Sequence, residues 1–261
     1  MHADVAGTRL QYELRGSGDR LVVLTHGLGS TLAFWGPHAE VLAAHYRVLA
    51  WDLRGAGGSA KPPGPYSPAL FARDLAALLD HVGAAEAHLV GHSGGGVVTQ
   101  RFALDYPHRA RSLVLCSTSS EVGEKASAAW SRLADTVERE GFGPGGAEAR
   151  AFAPEFAAAH PEMVADLAGR TRANDPSAYA ATARAFGSYA WTAELARVVT
   201  PVLVLQGLAD VLTPPGGSVI LARQLPRARL LMVPGAGHNL PLEMPGYFSG
   251  VVLAFLAGID L

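Results

Sequence analysis

The chain reads as an α/β protein, a mostly parallel sheet with helices on both faces, interrupted once by an all-helical insertion. Three observations predict this. Short apolar runs alternate with helix-length amphipathic stretches as far as about residue 120, the pattern of βαβ units. Several of those runs are continuously apolar, as strands covered on both faces must be. The alternation stops from about Glu121 to Val199 and resumes at Pro201, which divides the chain into a core of 1–120 with 200–261 and an insertion of 121–199. So long a stretch exceeds a single crossover connection.

In order, Thr8 to Leu14 alternates in character and ends at Arg15-Gly-Ser-Gly-Asp19, an early strand before a turn, expected to be antiparallel. Leu21 to Thr25 is apolar throughout and runs into His26-Gly-Leu-Gly-Ser30. A helix is expected over about 33–44 and a strand over Tyr46 to Trp51. The prolines of Lys61-Pro-Pro-Gly-Pro-Tyr-Ser67 make a loop, and Ser67 or Pro68 opens a helix to His81. A strand over Ala87 to Val90, a sharp turn and a helix from Gly94 to about Tyr106 follow, the last stopped by Pro107. Arg111 to Cys116 is a strand. The insertion carries helical stretches near 125–140, 147–159, 161–172 and 177–186, separated at Gly141–Gly146 and Asn174-Asp-Pro176. Pro201 to Gln206 and Arg229 to Val233 complete the strands, and 247–257 makes a closing helix.

Composition narrows the function. Among 261 residues, 49% are hydrophobic and 17% charged, which favours a buried core over disorder. The net charge of −2, without a basic run, leaves no electrostatic footprint for nucleic acid. Cys116 is the only cysteine and falls in a core strand, so it reads as a small buried hydrophobe rather than a reactive thiol. No signal-peptide pattern and no membrane-length apolar run occurs, so a soluble, cytoplasmic protein without membrane partners is expected. No metal-ligand set is visible, and Gly55-Ala-Gly-Gly58 does not form a dinucleotide fingerprint, so no cofactor is expected.

The chemistry centres on Gly91-His-Ser-Gly-Gly95, a G-x-S-x-G between an apolar strand and a helix. A serine at the tip of such a turn is forced towards strained dihedrals, so its neighbours two residues away must be small. The N–H of Gly94 then sits at a helix N-terminus, where it can donate to an oxyanion. His26-Gly27-Leu28 follows another strand, and the N–H of Leu28 is the candidate second donor. Downstream, Asp210 and His238 occupy loops past the carboxyl ends of two strands, the edge where open α/β sheets bind ligands. Serine, acid, histidine is the chain order this chemistry uses on such a sheet. A serine hydroxyl needs a neutral imidazole to take its proton, and a carboxylate must hold the imidazole and stabilise its charge. Asp210 competes for the acid role with Glu121 and Asp52. His26, Gly27, Trp35, His92, Val211 and Leu212 lie beside these loops and are candidate substrate contacts.

With these motifs in place, the sequence resembles the α/β-hydrolase fold superfamily over essentially its whole length. Trp51-Asp-Leu-Arg-Gly-Ala-Gly-Gly-Ser59, Pro62-Pro-Gly-Pro-Tyr66 and Gly235-Ala-Gly-His238 resemble its 3-oxoadipate enol-lactonase and carboxylesterase branch. Two positions depart: Ala56 stands where a histidine is common, and Gly94 where a methionine often follows the serine. The resemblance implies an eight-stranded sheet and makes 121–199 a helical cap over Ser93. Trp130 and the other cap aromatics (Phe142, Phe152, Phe156, Tyr179, Phe186, Tyr189 and Trp191) become candidates for an apolar wall. Arg132, Arg170, Arg172 and Arg184 could pair with a substrate carboxylate, as an enol-lactonase requires. It implies a monomeric or homodimeric serine hydrolase of small esters or lactones. Carbon–carbon bond hydrolysis of the meta-cleavage type, a perhydrolase side reaction and a ligand receptor on the same fold are the alternatives.

Overall fold

The computed structural model describes residues 1–143 and 147–260. One eight-stranded sheet runs through it: β1 (His2–Val5), β2 (Thr8–Arg15), β3 (Leu21–Thr25), β4 (Arg47–Trp51), β5 (Ala87–His92), β6 (Ala110–Cys116), β7 (Val202–Gly207) and β8 (Ala228–Val233). The spatial order is β1-β2-β4-β3-β5-β6-β7-β8, antiparallel through β1, β2 and β4 and parallel from β4 to β8. Every residue of β3, β5 and β7 is buried, which is why those runs lack polar alternation. β1 was not expected from sequence. It pairs with β2 through a turn at Ala6 and Gly7, both at positive φ (50° and 74°), and alanine at the first position hides the usual hairpin signal.

The helices follow local signals. α1 (Gly36–Ala43) comes after a short 3-10 turn, Leu32–Trp35. α2 (Pro68–His81) starts where the Ser67 hydroxyl accepts the Leu70 N–H at 3.1 Å and Pro68 occupies the first turn. α3 (Gly94–Asp105) follows the turn after β5. Between β6 and β7 lie α4 (Glu124–Glu140), α5 (Pro154–Ala159), α6 (Pro161–Arg172) and α7 (Pro176–Phe186). α4 ends at Gly141, whose φ of 75° suits glycine and whose N–H reaches Val137 O. Asp175 caps α7 by accepting the Ala178 N–H at 2.8 Å. The helix expected over 147–159 is a 3-10 turn, Ala147–Ala151, and then the short α5, because Pro154 supplies a new helix start. Of the breaker Gly141–Gly146, residues 144–146 lie outside the described residues. α8 (Pro215–Gln224), which was not expected, α9 (Leu240–Glu243) and α10 (Pro245–Asp260) complete the chain. No helix among the described residues is long and apolar enough to cross a membrane.

Two buried clusters flank the sheet. One joins Leu75, Leu78, Phe71 and Phe102 to Val23, Leu89 and Leu113; the other joins Trp35, Leu42, Phe248 and Leu256 to Leu24, Val90 and Val114. Each such side chain contributes about 1.5–3 kcal/mol on burial. This packing fixes the strand ends, and the strand ends position the site. β3 and β5 are neighbours whose chains leave in opposite directions across the sheet, β3 towards β4 and β5 towards β6. That reversal opens a crevice at their carboxyl ends.

Candidate active site

Ser93 sits at the crevice. It precedes α3 with φ 54° and ψ −122°, a left-handed conformation that a β-substituted residue holds only under constraint. The constraint is visible around it. A Cβ on Gly91 would lie 2.4 Å from Gly95 O, and one on Gly95 would lie 2.0 Å from Thr25 O. The Ser93 N–H donates to Cys116 O at 2.9 Å, and its carbonyl accepts from Gly96 N at 2.9 Å. The serine therefore projects from a turn fastened on both sides.

The register of β3 on β5 pairs Thr25 with Gly91, so the loops after these strands are adjacent. A Cβ on Gly27 would sit 3.0 Å from Ser93 Cβ and 3.4 Å from its Oγ. The expected oxyanion loop thus runs directly past the serine. Asp52 braces that loop: its Oδ1 accepts the Leu32 N–H at 2.6 Å and its Oδ2 the Gly58 N–H at 2.8 Å. This gives Asp52 a structural task and explains Gly57, since a Cβ there would meet Asp52 Oδ2 at 2.1 Å.

β7 and β8 are likewise neighbours, with Gly207 opposite Val233, which brings the Asp210 and His238 loops together. His238 Nδ1 and Asp210 Oδ2 are 2.9 Å apart, and because a carboxylate only accepts, Nδ1 carries the hydrogen. Asp210 also accepts the N–H groups of Leu212 (2.9 Å) and Thr213 (2.8 Å) and a Gln206 Nε2–H at 3.2 Å. Burial pushes its pKa up, but the His238 bond and charge and these further donors together hold it below the ordinary carboxylate value. Of the three candidate acids, Asp210 is the one hydrogen-bonded to His238, while Glu121 Oε2 accepts from Thr192 Oγ1 at 2.8 Å.

His92 links the two halves of the site. Its Nε2–H donates to His238 O at 2.8 Å, and its ring stacks on Phe34 at 4.9 Å. Burial and the neighbouring His238 push its pKa down to about 3, so it stays neutral and acts as a strut. Glu243 clamps the histidine loop from the other side, its Oε2 accepting from Gly237 N (2.9 Å) and Ala153 N (3.0 Å). Its burial raises its pKa, against the effect of these bonds.

A cavity of about 260 Å³ opens off Ser93, with Leu28, Gly94, Trp130 and Leu212 in its lining. Several expected contacts lie elsewhere. His26 is buried, with Nδ1 at 2.7 Å from Gly27 O and Nε2 accepting from Leu53 N at 3.1 Å, so it shapes the loop rather than meeting a ligand. Trp35 is fully buried against Phe34, His38 and Phe248, because the 3-10 turn directs it into the core. Gly27, His92 and the exposed Val211 are also outside the lining. Of the expected aromatic wall, Phe186 and Tyr189 join Trp130. Phe152 and Phe156 stack on each other, Phe142 packs on Tyr179, and Trp191 is buried with Nε1 donating to Gln100 Oε1 at 3.2 Å. Sequence reasoning missed Thr118, Ser119 and Val122 in the lining. They follow β6 at the same sheet edge, a signal that was available. Cys116 is buried and its thiol pushed up to about 12 by burial, so it is inert.

Comparison with known proteins adds the following. The alpha/beta hydrolase fold family matches residues 20–245. 3-Oxoadipate enol-lactonase 2 of Acinetobacter baylyi is 30% identical over 250 residues, covering 95% of this chain and 92% of that protein. RutD of Variovorax paradoxus, to which carbamate hydrolysis is provisionally assigned, is 34% identical over 262 residues, covering 96% and 97%. The solved thermophilic esterase of Thermogutta terrifontis, with malate bound, superposes with a TM-score of 0.92 at 29% identity, covering 100% of this chain and 99% of that one.

Proposed function

The chain belongs to the alpha/beta hydrolase fold family, and on that premise we propose that it is a serine hydrolase of small carboxylic esters and lactones. The observation that carries the reading is Ser93 in its strained turn, with a substrate-sized cavity opening directly off it. With His238 Nδ1 committed to Asp210, Nε2 is the nitrogen left to serve the serine. Ser93 Oγ attacks the carbonyl carbon as its proton passes to that nitrogen. The tetrahedral oxyanion takes hydrogen bonds from the N–H groups of Leu28 and Gly94. The C–O bond to the leaving alcohol breaks, the alcohol takes the proton from His238, and an acyl-enzyme remains. Water, activated by the same imidazole, then releases the acid.

In this reading residues 121–199 form a cap whose side chains set substrate choice. Support comes from Trp130, Phe186 and Tyr189, which the helical segment places in the cavity lining. The likeness to RutD favours carbamates as a second substrate class for the same triad. The test is a panel of short p-nitrophenyl esters, lactones and carbamates run beside Ser93→Ala, with fluorophosphonate labelling of the unaltered protein. Turnover of an ester or lactone that Ser93→Ala abolishes is expected. A Ser93→Ala protein that hydrolyses the panel at the parental rate ends the proposal.

A further inference from the structure

We propose that the cavity above Ser93 takes uncharged acyl groups and turns away those carrying a second carboxylate, with Glu121 as the specificity-determining residue. The inference rests on the serine-hydrolase reading and names the substrate class of that site.

The electrostatics of the lining carry it. The cavity wall is largely apolar, built from residues such as Leu28, Val97, Trp130 and Phe186. Among the described residues the lining holds one ionisable acid, Glu121, and no Lys, Arg or His. The cations nearest in sequence are engaged elsewhere or stand outside. Arg184 pairs with Asp135 and Glu138, Arg170 with Asp166, and Arg197 with Glu194. Arg132 and Arg172 are exposed and are not part of the wall. Lys125 precedes the lining residue Ala126 but is itself exposed and outside the lining. The four arginines that could have met a substrate carboxylate therefore do not reach it. The catalytic pair offers no free positive charge either, because His238, once protonated, is matched by Asp210. The Leu28 and Gly94 amides are taken by the reacting carbonyl.

Glu121 is held in place. It forms a bridge with Ala190, the neighbouring Val122 N–H donates to Tyr189 O at 3.0 Å, and Glu121 Oε2 accepts from Thr192 Oγ1 at 2.8 Å. Ser119 Oγ donates to its carbonyl at 3.1 Å. An exposed but fixed carboxylate at the rim repels a like charge entering beside it. Inside, an acyl carboxylate would lose water against apolar walls with no cation to replace it. Both effects act against the same substrates.

The test compares p-nitrophenyl butyrate with mono-p-nitrophenyl succinate, whose acyl chains match in length and differ in a terminal methyl or carboxylate; each rate is read above an enzyme-free blank, because the succinate carboxylate also closes to the anhydride and expels p-nitrophenolate by itself. The butyrate is expected to be favoured in kcat/KM on the order of a hundredfold at low salt. Glu121→Lys should narrow that ratio by about tenfold and Glu121→Gln by less, while Lys125→Ala leaves the preference for butyrate in place. Added salt should shrink the Glu121 contribution. Equal or faster cleavage of the succinate by the unaltered protein, or a ratio that Glu121→Lys does not move, overturns the inference while leaving the hydrolase reading intact. If Ser93 takes a fluorophosphonate but neither ester turns over, labelling rates with a propyl and a 2-carboxyethyl fluorophosphonate give the same ratio. No labelling and no turnover remove both readings together.

Discussion

Arg54 and Asp74 pair in the sheet half of the molecule with side chains 8% and 0% exposed, whereas Arg184 reaches Asp135 and Glu138 on the helical segment at 40%, 60% and 47%. The same contrast runs through the packing. The largest fully buried side chains, Trp35, Trp51, Phe71, Phe102 and Phe248 among them, all belong to the sheet half. α4 and α7 instead meet over Ala134, Ala180 and Ala183, and a Cβ on Gly187 would lie 2.5 Å from Trp130 Cβ. Small residues bring helices close but bury little apolar area, so they stabilise little. The sheet half supplies stability and holds Ser93 and the hydrogen-bonded Asp210–His238 pair at the ends of its strands. The helical segment lends Trp130, Phe186 and Tyr189 to the cavity wall, the part to which the proposed function gives substrate choice.

The largest effect expected from this division is at Asp210. Asp210→Asn should lower kcat by about 10⁴-fold through loss of the tautomer and charge it holds on His238. The fall should be the same for every ester in a panel; a fall that depends on the acyl group would mean the two halves are not separable. In stability, Asp74→Ala should cost about 3–5 kcal/mol in urea unfolding, because it leaves Arg54 buried without its partner. Burial raises the pKa of Asp74 in spite of the Arg54 bonds, so the pair itself is no great source of stability; breaking it is what costs.

Acid should attack the sheet half next. Burial lowers His38 to about 4, against a weaker upward pull from the Pro241 carbonyl, and burial with His238 lowers His92 to about 3. Both have folded values below the ordinary 6.5, so the unfolded chain binds the extra protons. Their contribution is whole above about pH 6.5 and is lost as pH falls towards 4 and then 3, on the order of 3 kcal/mol for His38 and about 5 kcal/mol for His92. Unfolding free energy measured from pH 7 to 4 should decline with that slope, and His38→Gln should flatten it.

A smaller effect probes the contact between the halves. A Cβ on Gly94 would lie 2.3 Å from the Phe186 ring, so Gly94→Ala should push Phe186 aside and reduce kcat/KM about 10- to 100-fold. Phe186→Ala in the same chain should restore part of it, and a double-mutant cycle measures the coupling. Smallest of all, Arg184→Ala should change unfolding free energy by at most about 1 kcal/mol, as exposed pairs do. A larger loss would show the helical segment to be as tightly built as the sheet.

The departure at Gly94, visible in the sequence as a missing methionine, acquires its reason only here: Phe186 fills the space a side chain would need. Trp35 shows the opposite case. Its place beside the expected oxyanion loop suggested a ligand contact, yet the direction of one short turn puts it in the core. α8 and β1 escaped notice because glycines in Pro215-Gly-Gly and an Ala-Gly turn weaken the local cues on which such readings rest.

What the sequence determined by itself is whatever local chemistry enforces. Continuous apolar runs made parallel strands, small residues around Ser93 made the turn, and loops at strand ends held Asp210 and His238 at one edge. Tertiary structure alone decided which side chains border the cavity and what charge they present there. Thr118 and Glu121 follow β6 and Phe186 ends α7, and they border one cavity only because these two distant stretches meet beside the turn after β5. Periodicity records the face a residue buries against its own element's neighbours. It does not record which distant partner arrives on the other side, and the charge of a pocket is a property of that meeting.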